Sequence, residues 1–110
     1  MGSDRLVPHE LPADEIERLR GEIAGFFDVT RAYLARKAVR YLPEKPYYVV
    51  GVELGRWYQL RTNKRTREVI HGLASQVLWP GRTCIMPLNR SNAGVAKRLK
   101  KVPGAELLRR

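Results

Sequence analysis

The first third of the chain contains apolar residues at helical spacing. Ile16, Leu19 and Ile23 recur every three or four positions, and charged residues lie on the opposite side of the helix that they would form. Pro12 suits the first turn of this helix, because its missing N–H would have no partner there. The pattern therefore predicts a first helix over residues 12–27.

The same periodicity indicates two further helices. Thr62 and Asn63 are good caps for a helix over residues 64–79, and Ser91 can cap a last helix over residues 92–102. The expected buried stripes are Val69, Ile70, Leu73, Ala74, Val77 and Leu78 in the first of these helices, and Val95, Leu99 and Val102 in the second.

Runs of β-branched and aromatic residues predict strands between the helices. Residues 47–54 form a strand on propensity alone. Residues 29–42 are ambiguous, because their apolar positions fit either one face of a helix or the alternation of a strand. We choose a strand over residues 30–42, which would form an antiparallel hairpin with the next strand around the proline-rich turn at residues 42–46. Shorter apolar runs predict strands at residues 83–88 and 105–108.

The resulting order of elements is α-β-β-α-β-α-β. Helices and strands in this order pack in layers, so we expect an α/β (α+β-like) fold in which about three helices pack on a small mixed sheet. A chain of 110 residues holds enough apolar surface for one modest core. We expect a flexible leader over residues 1–11 and a single domain over residues 12–110.

Charge is distributed unevenly along the chain, whose formal net charge is +10. Residues 1–28 contain seven acids and three arginines, a net charge of −4, whereas residues 29–110 contain eighteen lysines and arginines and four glutamates, a net charge of +14. The positive electrostatic field of such a basic region attracts nucleic acid, an acidic protein or a membrane surface. Pairing of the acidic segment with the basic remainder is the alternative interpretation.

Basic residues cluster where the strand of residues 47–54 leads into the second helix. Arginine pairs carboxylates and phosphates in bidentate geometry, and an exposed aromatic residue can anchor a protein contact or stack on a base. Cations in the first turn of that helix oppose its dipole, which suggests a role other than stability. Trp57 could instead lie in the core. The candidate partner-binding residues are Arg56, Trp57, Tyr58, Arg61, Lys64, Arg65 and Arg67. A second basic group, Lys97, Arg98, Lys100 and Lys101, is interpreted as the solvated face of the last helix.

No grouping of residues indicates catalysis, a cofactor or a bound metal. Of the two histidines, one lies in the leader and His71 is expected on a helix surface, while Cys84 lies in an apolar strand as a small core residue. Glu53 is expected to pair with Arg36 or Arg40 across the hairpin. No apolar run approaches the ~20 residues that span a bilayer. We therefore expect a cytoplasmic protein that is not an enzyme.

Four short motifs along the chain occur in an order known from one protein family. They are the runs at residues 31–36, 47–54, 85–88 and 102–107. In this order they resemble the C-terminal domain of the SseB (enhanced serine sensitivity) family. The resemblance implies a small bacterial α/β domain without assigned catalytic residues, and it supports the hairpin. It also implies a separate N-terminal domain, which family members usually carry before this one.

These features together predict a non-enzymatic interaction module. Its basic cluster would bind an acidic protein. Binding of nucleic acid, in particular RNA, through the same cluster is the alternative. Insertion into a membrane is not expected.

Overall fold

The computed structural model describes residues 5–26, 28–38, 47–55, 64–88 and 92–109. The α-β-β-α-β-α-β order predicted from the sequence is confirmed there, with one additional strand before it. In chain order the elements are β1 (Arg5–Val7), α1 (Ala13–Ala24), β2 (Val29–Ala38), β3 (Tyr47–Leu54), α2 (Lys64–Gln76), β4 (Arg82–Pro87), α3 (Ala93–Lys101) and β5 (Glu106–Arg109).

β2 and β3 form the antiparallel hairpin at the centre of the sheet. Leu34 lies opposite Val50, so alternating apolar side chains of the two strands reach the same face. The strand interpretation of residues 29–42 is therefore confirmed over Val29–Ala38. The predicted turn at residues 42–46 lies outside the described residues.

The sheet is mixed, and β2 is paired along both edges. β4 runs parallel to β3. A parallel pair needs a long crossover connection, and α2 with its flanking segments provides one. β1 and β5 share the other edge of β2; Leu6 of β1 lies opposite Lys37, and β5 pairs nearer the start of β2. The leader expected over residues 1–11 is thus wrong for Arg5–Val7, which form a strand of the sheet.

Helices cover both faces of the sheet, which gives three layers. On one face α1 and α2 contribute Leu19 and Leu73 to a core that includes Val50. On the other face α3 contributes Leu99 to a second core that includes Tyr33. Full burial of an aliphatic side chain contributes about 1.5–3 kcal/mol, so both layers stabilise the domain. The predicted α/β class is confirmed.

The close packing of α3 on the sheet depends on Gly51 in β3. A Cβ atom at this position would lie 2.6 Å from Cδ2 of Leu88 and 2.7 Å from Cδ1 of Leu99. Carbon atoms cannot approach so closely without displacing each other. Glycine therefore lets these two leucines fill the space above β3.

Helix α2 is shorter than its apolar pattern predicted. It ends at Gln76, and the indole N–H of Trp79 then donates to the carbonyl of Leu73 at 3.1 Å. Leu78, beyond the helix, is 72% exposed, and Ala74 is exposed as well. Both residues were wrongly assigned to the buried stripe. Leu78 lies beyond the end of the helix, and Ala74 lies within α2 but on its exposed side.

Helix α3 begins close to its predicted start. Asn92 occupies the N-cap position, and its side-chain Nδ2 donates to the carbonyl of Pro87 at 2.7 Å. The predicted cap, Ser91, lies outside the described residues. The Asn92 bond fixes the start of α3 against the end of β4.

Candidate functional site

The outer side of helix α3 is basic. Leu99 is fully buried beneath the helix, which leaves the residues on the other side in solvent. The helix contains no acidic residue, and cations in its last turn interact favourably with the helix dipole. The exposed cations are Lys97, Arg98, Lys100 and Lys101.

Lys100 differs from the other three because it is paired with an acid of the sheet. Its Nζ lies 3.0 Å from Oε2 of Glu53 and 5.9 Å from the centre of the Tyr33 ring. The remaining three cations, Lys97, Arg98 and Lys101, are called the α3 basic face below. Within the described part of the chain, none of these three has an ion pair.

The partner of Glu53 was predicted wrongly. Strand side chains alternate between the two faces of a sheet, and Arg36, opposite Tyr48 in the hairpin, lies on the face away from Glu53. Arg36 pairs instead with Glu10 at 3.3 Å. Arg40, the other expected partner, lies outside the described residues. The ion-pair role of Glu53 is confirmed, but its partner comes from α3.

A cleft of about 330 Å³ adjoins the α3 basic face. It is lined by the apolar residues Leu6, Val102 and Pro103 and by the cations Arg98 and Lys101. We call it the β1–α3 cleft. Leu6 and Val102 are half-buried while the two cations are exposed, so the cleft joins an apolar surface to a basic one.

The segment that carries Leu6 is fixed by side-chain hydrogen bonds as well as by the sheet. With its proton on Nε2, His9 donates to the carbonyl of Gly104 at 3.0 Å, and its Nδ1 accepts from the backbone N–H of Leu11 at 3.0 Å. Gly104 has a φ of +74°, which favours glycine. His9, expected in a leader, therefore joins the N-terminal segment to the turn between α3 and β5.

The acidic helix α1 neutralises much of its own charge. Arg18 pairs with Glu15 and Glu22, and Arg20 pairs with Glu17. α1 packs on the face of the sheet opposite to α3. The alternative interpretation, in which the acidic segment pairs with the basic remainder, is therefore wrong for these three glutamates, but it is confirmed for Glu10, which pairs with Arg36. None of these pairs involves the α3 basic face.

The basic cluster predicted from the sequence is described only in part. Lys64 and Arg65 begin α2, and Arg67 is exposed on the same helix. Since α2 and α3 pack on opposite faces of the sheet, Arg67 does not join the α3 basic face. Four members lie outside the described residues: Arg56, Trp57, Tyr58 and Arg61.

The other candidate side chains lie apart from the cleft residues. Cys84 is half-buried in β4, and His71 is exposed on α2, as predicted for a helix-surface imidazole. No group of three or more His, Cys, Asp or Glu residues suited to a metal ion occurs among the described residues. None of the helices in the described ranges is long and apolar enough to cross a membrane.

The β1–α3 cleft could not be predicted because β1 could not. The only signal in the sequence is the apolar pair Leu6-Val7 before a proline, and three residues are too few for periodicity to show. The exposure of the α3 cations was predicted and is confirmed. Their proximity to an apolar cleft could not be predicted, because it depends on the contact between β1 and the end of α3.

Comparisons with known proteins do not add to this description. No family model matches the chain, and neither a search of curated proteins nor a search of solved structures gave a match.

Proposed function

We propose that this protein is a non-enzymatic interaction module that binds an acidic protein through the α3 basic face. The observation that carries the proposal is the exposure of Lys97, Arg98 and Lys101, which have no ion pair in the described ranges. Cations left in solvent create a field that attracts carboxylates and speeds association with an acidic surface. The guanidinium of Arg98 can in addition hold a carboxylate in bidentate geometry.

A protein partner suits this surface better than RNA. Single-stranded nucleic acid is usually bound by cations together with aromatic side chains that stack on the bases. The uncharged residues of the adjoining cleft are aliphatic: Leu6, Val102 and Pro103. Aliphatic surface of this kind is suited to apolar side chains of another protein.

The proposal includes membership of the SseB C-terminal domain family and a cytoplasmic location in a bacterium. The domain implied by that resemblance has no assigned catalytic residues, in keeping with a binding role. The complete open reading frame tests the resemblance. A separate N-terminal domain of the kind that family members usually carry would support the family assignment, and a different neighbouring domain would contradict it.

Two variants of equal net charge test which basic surface binds the partner. K97Q/R98Q/K101Q removes the α3 basic face, whereas K64Q/R65Q/R67Q removes three cations of α2. Glutamine is chosen because it preserves helix propensity while it removes the charge. Wild type and both variants are used as bait in a bacterial lysate with and without nuclease treatment, and captured proteins are quantified by mass spectrometry.

We expect wild type and the α2 variant to recover the same acidic protein, and the α3 variant to recover about tenfold less, since loss of about 1.4 kcal/mol of binding free energy is a tenfold change. Equal recovery by all three contradicts the proposal. Capture that disappears after nuclease treatment favours RNA binding instead. Loss in the α2 variant alone would place the function on the cluster of residues 56–67.

A further inference from the structure

We propose that the β1–α3 cleft receives an apolar side chain of the acidic partner, so that the partner carries a segment in which acidic residues flank an aliphatic one. This inference rests on the proposed function, because it concerns the same partner. It specifies the chemistry of the segment that binds: carboxylates for the α3 basic face and an aliphatic anchor for the cleft.

The composition of the cleft indicates the anchor. Its apolar part comes from three places in the chain: Leu6 of β1, Val102 at the end of α3, and Pro103 in the following turn. A volume of about 330 Å³ lies at the small end of the ~300–1,000 Å³ typical of ligand sites. This space suits one aliphatic side chain with its adjoining backbone.

The cations of the cleft indicate the flanking residues. Arg98 and Lys101 lie three positions apart and therefore on one side of α3, and Lys97 lies one turn before Lys101. Among the described residues none of these cations has a carboxylate partner. A segment whose aliphatic side chain enters the cleft would place its neighbouring carboxylates beside them, and charged rims of this kind give specificity and fast association.

The cleft is preformed. Leu6 is fixed by the pairing of β1 with β2, and the segment after it is held by the bond from His9 to the Gly104 carbonyl. Val102 is held at the end of α3 by its own N–H, which donates to the Leu99 carbonyl at 3.1 Å. Backbone that is already held in this way loses little conformational entropy when a segment binds, which favours affinity.

Two labelled peptides test the inference against the full chain. Their sequences are Glu-Glu-Leu-Glu-Glu and Glu-Glu-Ser-Glu-Glu, so they carry the same charge and differ only in the central side chain. Affinities are measured by fluorescence anisotropy at low salt. We expect the leucine peptide to bind about tenfold more tightly, a difference of about 1.4 kcal/mol.

The variant L6A tests the contribution of the cleft to binding separately from that of the charges. It should weaken the leucine peptide about tenfold and leave the serine peptide unchanged, because the α3 basic face is intact. V102T keeps the shape of valine but makes the cleft more polar, and it is the second variant in case L6A does not fold. Thermal unfolding followed by circular dichroism shows which variant remains folded.

Two results would overturn the inference, and they have different meanings. Equal affinity of the two peptides would overturn the aliphatic anchor while the proposed binding of acidic protein remains. Failure of both peptides to bind wild type would overturn the proposed function together with the anchor. An unchanged preference for leucine in a folded L6A or V102T protein would place the anchor outside this cleft and also overturn the inference.

Discussion

The ammonium group of Lys100 lies 3.0 Å from Oε2 of Glu53 and links helix α3 to strand β3. The carboxylate side chain is only 18% exposed, and within the described residues its Oε2 is buried without an aligned hydrogen bond. Lys100 therefore offsets the charge of a poorly solvated acid. Lys100 thus has a structural role within the fold, whereas the three cations of the α3 basic face are exposed to solvent.

Removal of Lys100 should destabilise the protein. In K100Q the carboxylate of Glu53 loses its nearby positive charge while remaining poorly solvated, and we expect a loss of about 1–3 kcal/mol in the free energy of unfolding. Urea denaturation measures the loss. The double variant E53Q/K100Q should be more stable than K100Q, because no buried charge remains. The control K97Q alters a lysine of the same helix that has no ion pair within the described residues, and it should change stability by less than about 0.5 kcal/mol.

Addition of one methyl group at Gly51 should also destabilise the protein. The new Cβ would overlap with the side chains of Leu88 and Leu99, which are both buried, and overpacking of this kind costs about 1–3 kcal/mol. Thermal or urea unfolding of G51A measures the effect. The matched control is G94A in α3, where a Cβ atom meets nothing within 4 Å. It should not destabilise the protein, because the added methyl group meets open space and alanine favours a helix more than glycine does. A similar loss in both variants would contradict the close packing of α3 on Gly51.

Loss of the His9 side chain should loosen β1. H9A removes the bond to the Gly104 carbonyl and the acceptor for the Leu11 N–H, and each such bond contributes about 0.5–1.5 kcal/mol. Hydrogen exchange of the β1 amides that donate to β2 should then be at least about tenfold faster if local opening carries the exchange. Exchange in β3 serves as the internal control and should change little. Unchanged protection of β1 would show that strand pairing alone holds the N-terminal segment.

The pH dependence of stability should include a contribution from Glu22. Its carboxylate accepts the backbone N–H of Leu78 at 3.0 Å and pairs with Arg18, and these contacts, the first being the stronger, lower the pKa of Glu22 below its usual value of 4.5. A group whose pKa is lower in the folded state stabilises the fold above its unfolded pKa. That stability is lost as the pH falls through the folded pKa.

The variant E22Q isolates this contribution. The stability difference between wild type and E22Q should be largest near neutral pH and should shrink as the pH falls below 4.5. Urea denaturation at a series of pH values measures it. A difference that stays constant across the acidic range would show that the Leu78 bond does not depend on the ionised carboxylate.

The elements with a strong local pattern could be predicted from the sequence. β3 matches the predicted strand at residues 47–54, because its aromatic and β-branched residues suit a strand buried on both faces. The apolar positions of residues 29–42 fitted a helix and a strand equally well. Pairing with β3, a contact between separate segments, decides in favour of the strand.

The features that were missed depend on residues far apart in the chain. β1 has three residues and is defined by its pairing with β2. The partner of Glu53 comes from α3, because strand alternation places the expected Arg36 on the other face. The cleft requires Leu6 to meet the end of α3, almost a hundred residues later, and local composition cannot indicate such a contact.

The most direct test of the central claim is the location of the surface that binds an acidic polypeptide. Polyglutamate is titrated into the isotope-labelled protein, and amide chemical shifts are followed by NMR. The proposed function predicts the largest shifts in α3 and in the turn after it, at Arg98, Lys101 and Val102, with shifts that weaken as salt is added. Shifts confined to the first turn of α2, or no shifts at low salt, would contradict it.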